Sequence, residues 1–344
     1  MRKLASVQTI KKIEPIEGAD RIEKATIEGW TVVVPKGQFK EGDKAVYFEI
    51  DSFLPIKGVY EFLKNCHKDN PILGEGYLIK TQKLRGVVSQ GLCMTLDDLG
   101  ITPSTPVGMD LTNILDVKKY ELPEMATTGG TTLGKLPYDV PHTDETRYQT
   151  YPEWKEEFGT NEYYISTKMD GSSHSVSLDR NGFHVCGHNY EYKDDGKCSF
   201  YNYVNKNNIR EKMELYVRNM GIETLTIQGE FCGAGIQKNP IGLTEPQWYV
   251  FNVIVNGKRA SMRTMIAVSD ALGLKTVPIE EVDYDLPSKY PNDDALQARS
   301  DGKYINGKQK EGIVIRTCTP IESKVLDGYI SMKVVNNKYL LKRG

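Results

Sequence analysis

Lys168-Met169-Asp170-Gly171 places a lysine two residues before a carboxylate and three before a glycine. Downstream the chain carries Gly229-Glu230, Val250-Phe251, Glu311-Gly312-Ile313-Val314-Ile315 and Met332-Lys333-Val334. These are the residue types that covalent nucleotidyl transfer requires. A lysine attacks the α-phosphorus of ATP only as a neutral, desolvated amine held in line with the leaving pyrophosphate. The site must also offer an aromatic face for adenine, an acceptor for the ribose, carboxylates for magnesium and a cation for the α-phosphate. Lys168 is the candidate nucleophile. Phe251, Glu230, Asp170, Glu311 and Lys333 are candidates for the other parts.

Alone, Lys-x-Asp-Gly is most often a surface turn. Its context argues otherwise. Ile165-Ser166-Thr167 is strand-like, and Ser172-Ser173 leads back into Ser175-Val176-Ser177-Leu178, which predicts Lys168 at a strand end facing a cleft.

The elements that must carry these residues fall into two blocks. Residues 1–116 are β-rich: Trp30-Thr31-Val32-Val33-Val34, Ala45 to Ile50, Gly76 to Lys80 and Val87 to Leu92 are short runs bounded by Gly, Pro and Asp. About five strands there suit a small OB-type barrel, a fold whose strand face and loops often bind oligonucleotides. Lys80, Lys83 and Arg85 cluster beside one strand, either as phosphate contacts or as an ordinary solvated face. Residues 117–141 shift to Pro, Gly and Thr, and Ala126-Thr127-Thr128-Gly129-Gly130 reads as a mobile linker. Residues 142–344 alternate helix and strand. Ile209, Met213, Tyr216, Val217 and Met220 mark a helix that Gly221 stops; Trp248 to Val255 is a strand before an Asn256-Gly257 turn, and Met262 to Leu272 is a second helix.

With 344 residues the chain accommodates two domains, and a net charge of −2 confines any nucleic-acid surface to a local basic patch. No apolar run approaches the ~18 to 20 residues needed to span a bilayer. Met-Arg-Lys-Leu-Ala-Ser has no apolar core after it, so no secretory signal is expected. The six cysteines form no Cys-x-x-Cys pair. His184 and His188 could share a helix face, but Phe183 and Val185 favour a strand, so zinc is not expected. Free thiols in a reducing intracellular compartment, cytoplasm or nucleus, fit better.

Taken together, the motifs resemble the ATP-dependent RNA ligases of the covalent nucleotidyltransferase superfamily over roughly residues 142–340. Gln228-Gly229-Glu230-Phe231-Cys232-Gly233-Ala234-Gly235-Ile236-Gln237-Lys238-Asn239 is the most specific piece. The resemblance implies an α+β chain: an N-terminal OB-type β-barrel joined to an ATP-grasp-like adenylyltransferase domain with antiparallel sheets. It implies that Lys168 becomes lysyl-AMP and that Arg147, Glu230, Phe251 and Lys333 join it in binding ATP. Asp170, Glu230 and Glu311 would then serve Mg²⁺ or Mn²⁺. The implied substrate is RNA, as ends or a nicked duplex with a ribonucleotide 3′-OH, sealed to a 5′-phosphate by a monomer away from membranes. Two departures stand out. Val335 occupies the place of a second lysine, for which Lys338 is the nearest substitute, and Gly187-His188-Asn189 replaces a Ser-Arg-Asn pattern. His188 and Asn189 are therefore the candidates for handling the RNA 5′-phosphate. A DNA ligase or a capping-type nucleotidyltransferase is the alternative enzyme, and a non-catalytic RNA-binding protein is the alternative of another class.

Overall fold

The computed structural model describes residues 2–121 and 129–343. The chain divides into two compact units: Met1–Leu122 with Leu340–Gly344, and Pro123–Tyr339.

In the first unit, strand alternation sets the core. Trp30, Val32 and Val34 of the Trp30–Pro35 strand are buried, with Ile10, Ala25, Ile27, Phe39 and Tyr47, while the intervening residues are partly exposed. Lys44–Phe48 pairs antiparallel with both Ala5–Thr9 and Leu92–Met94. Among the described residues up to 116 eleven short strands occur where about five were expected. The expected Val87 to Leu92 strand, for example, divides at Gly91 into Val87–Gln90 and Leu92–Met94. Thr81–Leu84 and Val87–Gln90 form a hairpin whose turn is Arg85-Gly86, with φ of 47° and 85°.

Part of the expected linker, residues 122–128, lies outside the described residues. Either side of it the chain is built into sheets: Lys118–Lys119 pairs with Ser52–Leu54, and Thr132–Lys135 with Tyr190–Tyr192. Ladders of two to four residues satisfy backbone groups without leaving an apolar period in the sequence.

Among the described residues the second unit holds two sheets. The longer runs in the order Thr132–Lys135, Tyr190–Tyr192, Gly182–Cys186, Ser172–Asp179, Leu225–Cys232, Gln247–Val255, Lys258–Arg259. Its pairings are antiparallel, as expected, with one short parallel addition where Lys275–Thr276 runs beside Gln247–Val255. The shorter sheet is antiparallel in the order Ile279–Tyr284, Glu162–Lys168, Gly312–Thr317, Ser331–Val335. Helices Ile209–Met220 and Met262–Leu272 cover the back of the long sheet, packing Ile209, Met213, Met265 and Val268 against Val176, Ile227 and Val253. Gly221 (φ 63°) ends the first helix, and the Ser261 hydroxyl accepts from Thr264 N–H to begin the second. Among the described residues no helix is long and apolar enough to cross a membrane.

Candidate active site

The short sheet sorts its residues by parity. Tyr163, Ile165, Ile313, Ile315, Met332 and Val334 bury themselves in one apolar cluster. Strict alternation sends their neighbours to the opposite face in cross-strand rows: Tyr164, Arg316 and Ser331; Ser166, Val314 and Lys333; Lys168, Gly312 and Val335. A cleft opens on that face, lined by Lys168, Glu230, Phe251, Val314, Arg316 and Lys333 among others.

Phe251 enters the cleft through a bulge. Gln228 pairs with Asn252 and Gly229 with Val250, so Phe251 is the extra residue between them. The apolar phase slips accordingly, with Trp248, Val250 and then Val253 in the core. Arg316 donates to the Phe251 carbonyl, and its guanidinium lies 5.6 Å from the Phe251 ring centroid. Glu145 holds that guanidinium through an ion pair and also accepts from the Ser331 hydroxyl. Burial opposes charge on Glu145, yet Arg316 and Arg259 keep its carboxyl below the usual range.

Two motif glycines are fixed by close approach. A Cβ on Gly171 would stand 2.4 Å from the Phe231 carbonyl oxygen. At Gly312, where φ is 152°, it would stand 2.2 Å from that of Val334. The freed space lets carboxylates converge on the lysine. Glu311 Oε2 is 2.8 Å from Lys168 Nζ, and Glu230 Oε1 accepts from Gly171 N–H at 3.1 Å. Tyr339 donates to Asp170 at 2.6 Å. The Tyr304 hydroxyl donates to the Lys168 carbonyl at 2.9 Å and accepts from Glu311 N–H at 3.2 Å, tying Lys168 and Glu311 together.

Burial presses Lys168 toward its neutral form, but Glu311, Glu230 and Asp170 outweigh it and hold the ammonium's pKa above the ordinary value. Burial, reinforced by Glu311 and Asp170 against the pull of Lys168, pushes the Glu230 carboxyl up to about 8. Three acids around one lysine make a cation-seeking site. Among the described residues no three His, Cys, Asp or Glu side chains form a ready cage for a metal. Asp170, Glu230 and Glu311 offer the oxygen donors that a hard divalent ion takes, its remaining ligands coming from nucleotide phosphate and water.

The other expected residues are distributed as follows. Arg147 forms a parallel bridge with Lys333, whose N–H bonds the Thr146 carbonyl at 2.7 Å, so the two stand side by side although Arg147 is outside the cleft lining. His188 lines the cleft, 3.5 Å from Asp144 and 3.4 Å from the Thr143 hydroxyl, while Asn189 does not line it. Lys338 pairs with Asp301 and also lies outside the lining, and Val335, at the place of the second lysine, is buried. Lys83 and Arg85 are exposed on the hairpin of the first unit; Lys80 is half-buried before it. Sequence reasoning missed Arg316, Glu145 and Tyr304. Period-two alternation from Val314 would have found Arg316, and Glu145 lies two residues before Arg147. Nothing local marks Tyr304.

A family model described as RNA ligase matches residues 161–335, and one described as an OB-fold domain matches residues 4–96. No curated protein matches the chain. Among solved structures it is similar to Naegleria gruberi RNA ligase with PPi (31% identity, TM-score 0.87, 99% of each chain covered). It is equally similar to one mutant of that enzyme with ATP and Mn (31%, 0.87, 99% of each) and to another with AMP and Mn (30%, 0.87, 99% of each).

Proposed function

The chain belongs to the RNA ligase family, and from that premise we propose that this ATP-dependent RNA ligase seals a 3′-OH to a 5′-phosphate, in particular at nicks with a ribonucleotide on the 3′-OH side. One observation carries the assignment of parts: a lysine ringed by three carboxylates, in a cleft that also presents Phe251 and Lys333. ATP and a divalent metal are its co-substrate and cofactor, as in the similar structures with ATP or AMP and Mn.

In this reading Lys168 Nζ displaces pyrophosphate from ATP and becomes lysyl-AMP. AMP then passes to the RNA 5′-phosphate, and the 3′-OH displaces it to close the phosphodiester. Phe251 offers the adenine a face, backed by Arg316. Glu230 accepts from the ribose, and Lys333, beside Arg147, meets the α-phosphate as a compact cation. Asp170, Glu230 and Glu311 would hold magnesium or manganese. That ion would supply charge neutralisation at the phosphate and an electrostatic push on Lys168 toward its neutral form. His188 and Asn189 are the proposed contacts for the RNA 5′-phosphate. Residues 1–116 are proposed to engage RNA through the OB-fold, residues 117–141 to connect, and residues 142–344 to carry the chemistry. A monomer in an intracellular compartment completes the proposal.

The test is incubation with labelled ATP and magnesium. Acid-labile label should appear on the wild-type protein and be absent from Lys168→Met. Equal labelling of the two would refute the nucleophile.

A further inference from the structure

Beside the nucleophile, residues 303–309 form a tight hairpin. Lys303 bridges Gln309, Tyr304 N–H bonds the Lys308 carbonyl at 2.8 Å, and Gly307 N–H bonds the Tyr304 carbonyl at 2.9 Å. At its tip Ile305 is 101% exposed. A fully solvated isoleucine on an otherwise well-tied turn contributes nothing to the core.

The tip is fastened to a second loop. Asn306 Nδ2 donates to the Pro240 and Ile241 carbonyls at 2.9 and 2.6 Å, and Ile241 is buried with Met169, Cys232 and Tyr304. Both loops therefore rest on the residues that seat Lys168. The second loop exposes Lys238 next to Gln237, a non-glycine residue at φ 48°. Lys238, Lys303 and Lys308 are exposed and form no ion pair among the described residues. The neighbouring acid, Asp301, is already engaged by Lys338 and Gln309. Three exposed lysines without an ion pair among the described residues thus share with Ile305 two loops that Asn306 ties together.

We propose that this two-loop surface is a contact site for the RNA strands at the joint. Lys238, Lys303 and Lys308 meet phosphates, and Ile305 packs on a ribose or an unstacked base. The inference rests on the RNA ligase reading and assigns part of its substrate surface.

The experiment uses the full chain and a nicked RNA duplex whose 5′-phosphate is already adenylylated. Two variants are compared with wild type: the triple Lys238→Ala/Lys303→Ala/Lys308→Ala, and Ile305→Ser. Each should raise KM for the nick about tenfold. The triple variant should also make the salt dependence shallower, by about 0.7 to 0.9 in log–log slope for each phosphate that is no longer neutralised. Labelling of Lys168 by ATP should stay within about twofold of wild type, which shows an intact fold and nucleotide site. Wild-type KM and slope in both variants would overturn the proposal. So would parallel loss of labelling and sealing, since the hairpin would then only support Lys168. Failure of the wild-type protein to seal the nick would instead overturn the ligase reading itself.

Discussion

Phe251 is only as well placed as the group behind it. Its carbonyl, released from the ladder by the bulge, is taken by Arg316, and Glu145 fixes that guanidinium through two of its nitrogens. A lysine cannot make this fork. Arg316→Lys should therefore raise KM for ATP in lysine adenylylation about tenfold, or ~1.4 kcal/mol, with little change in the maximal rate. An unchanged KM would remove Arg316 from the account. Tyr304 acts on the other half of the site. Tyr304→Phe loses one hydroxyl that bridges Lys168 and Glu311, a change worth about 1 to 2 kcal/mol, so adenylylation should slow roughly tenfold at saturating ATP. A rate within twofold of wild type would show that the bridge does not position the amine.

At the level of elements, Gly312 allows the strand that follows Glu311 and the strand that carries Lys333 to pack side by side. Gly312→Ala meets the Val334 carbonyl with no room to yield, so loss of more than about 3 kcal/mol of stability is expected in chemical denaturation. His174 sets a different constraint. It sits on the Ser172–Asp179 strand, 4.3 Å from the Phe200 ring, with Nδ1 2.9 Å from the Ser172 carbonyl oxygen. Burial pulls its pKa from 6.5 down to about 4. The unfolded chain then binds a proton between those values that the folded chain refuses. The stability is present above pH ~6.5 and lost as pH falls toward 4, amounting to about 3 kcal/mol at most. His174→Phe should flatten this part of the stability profile, and an unchanged slope would assign it to other groups.

For the whole molecule, the OB-fold unit is predicted to add RNA affinity more than chemistry. Its exposed hairpin carries Lys83 and Arg85 at a tight turn. Lys83→Ala/Arg85→Ala in the full chain should weaken binding to a nicked duplex and reduce its salt dependence by up to about 1.8 in slope. Binding and slope equal to wild type would exclude the hairpin from the RNA surface.

The motifs alone singled out the proposed nucleophile, acids, aromatic and final lysine as a set, because covalent nucleotidyl transfer demands those residue types in that order. Periodicity determined the helices Ile209–Met220 and Met262–Leu272, whose stop glycines and apolar stripes are local. Only the tertiary structure decided how the set converges. Phe251 reaches the cleft by a register slip that no local composition marks, since a bulge depends on what the partner strand does. Arg316, Glu145 and Tyr304 work through partners far away in sequence: Arg316 meets Glu145 across 171 residues, and Tyr304 meets Lys168 across 136. Charge followed the same rule. The residue order marks Lys168 as the candidate nucleophile, but acids brought together by folding, Glu311 foremost, hold it as an ammonium. Local preference fixes elements within a few residues, whereas a site is made where elements meet.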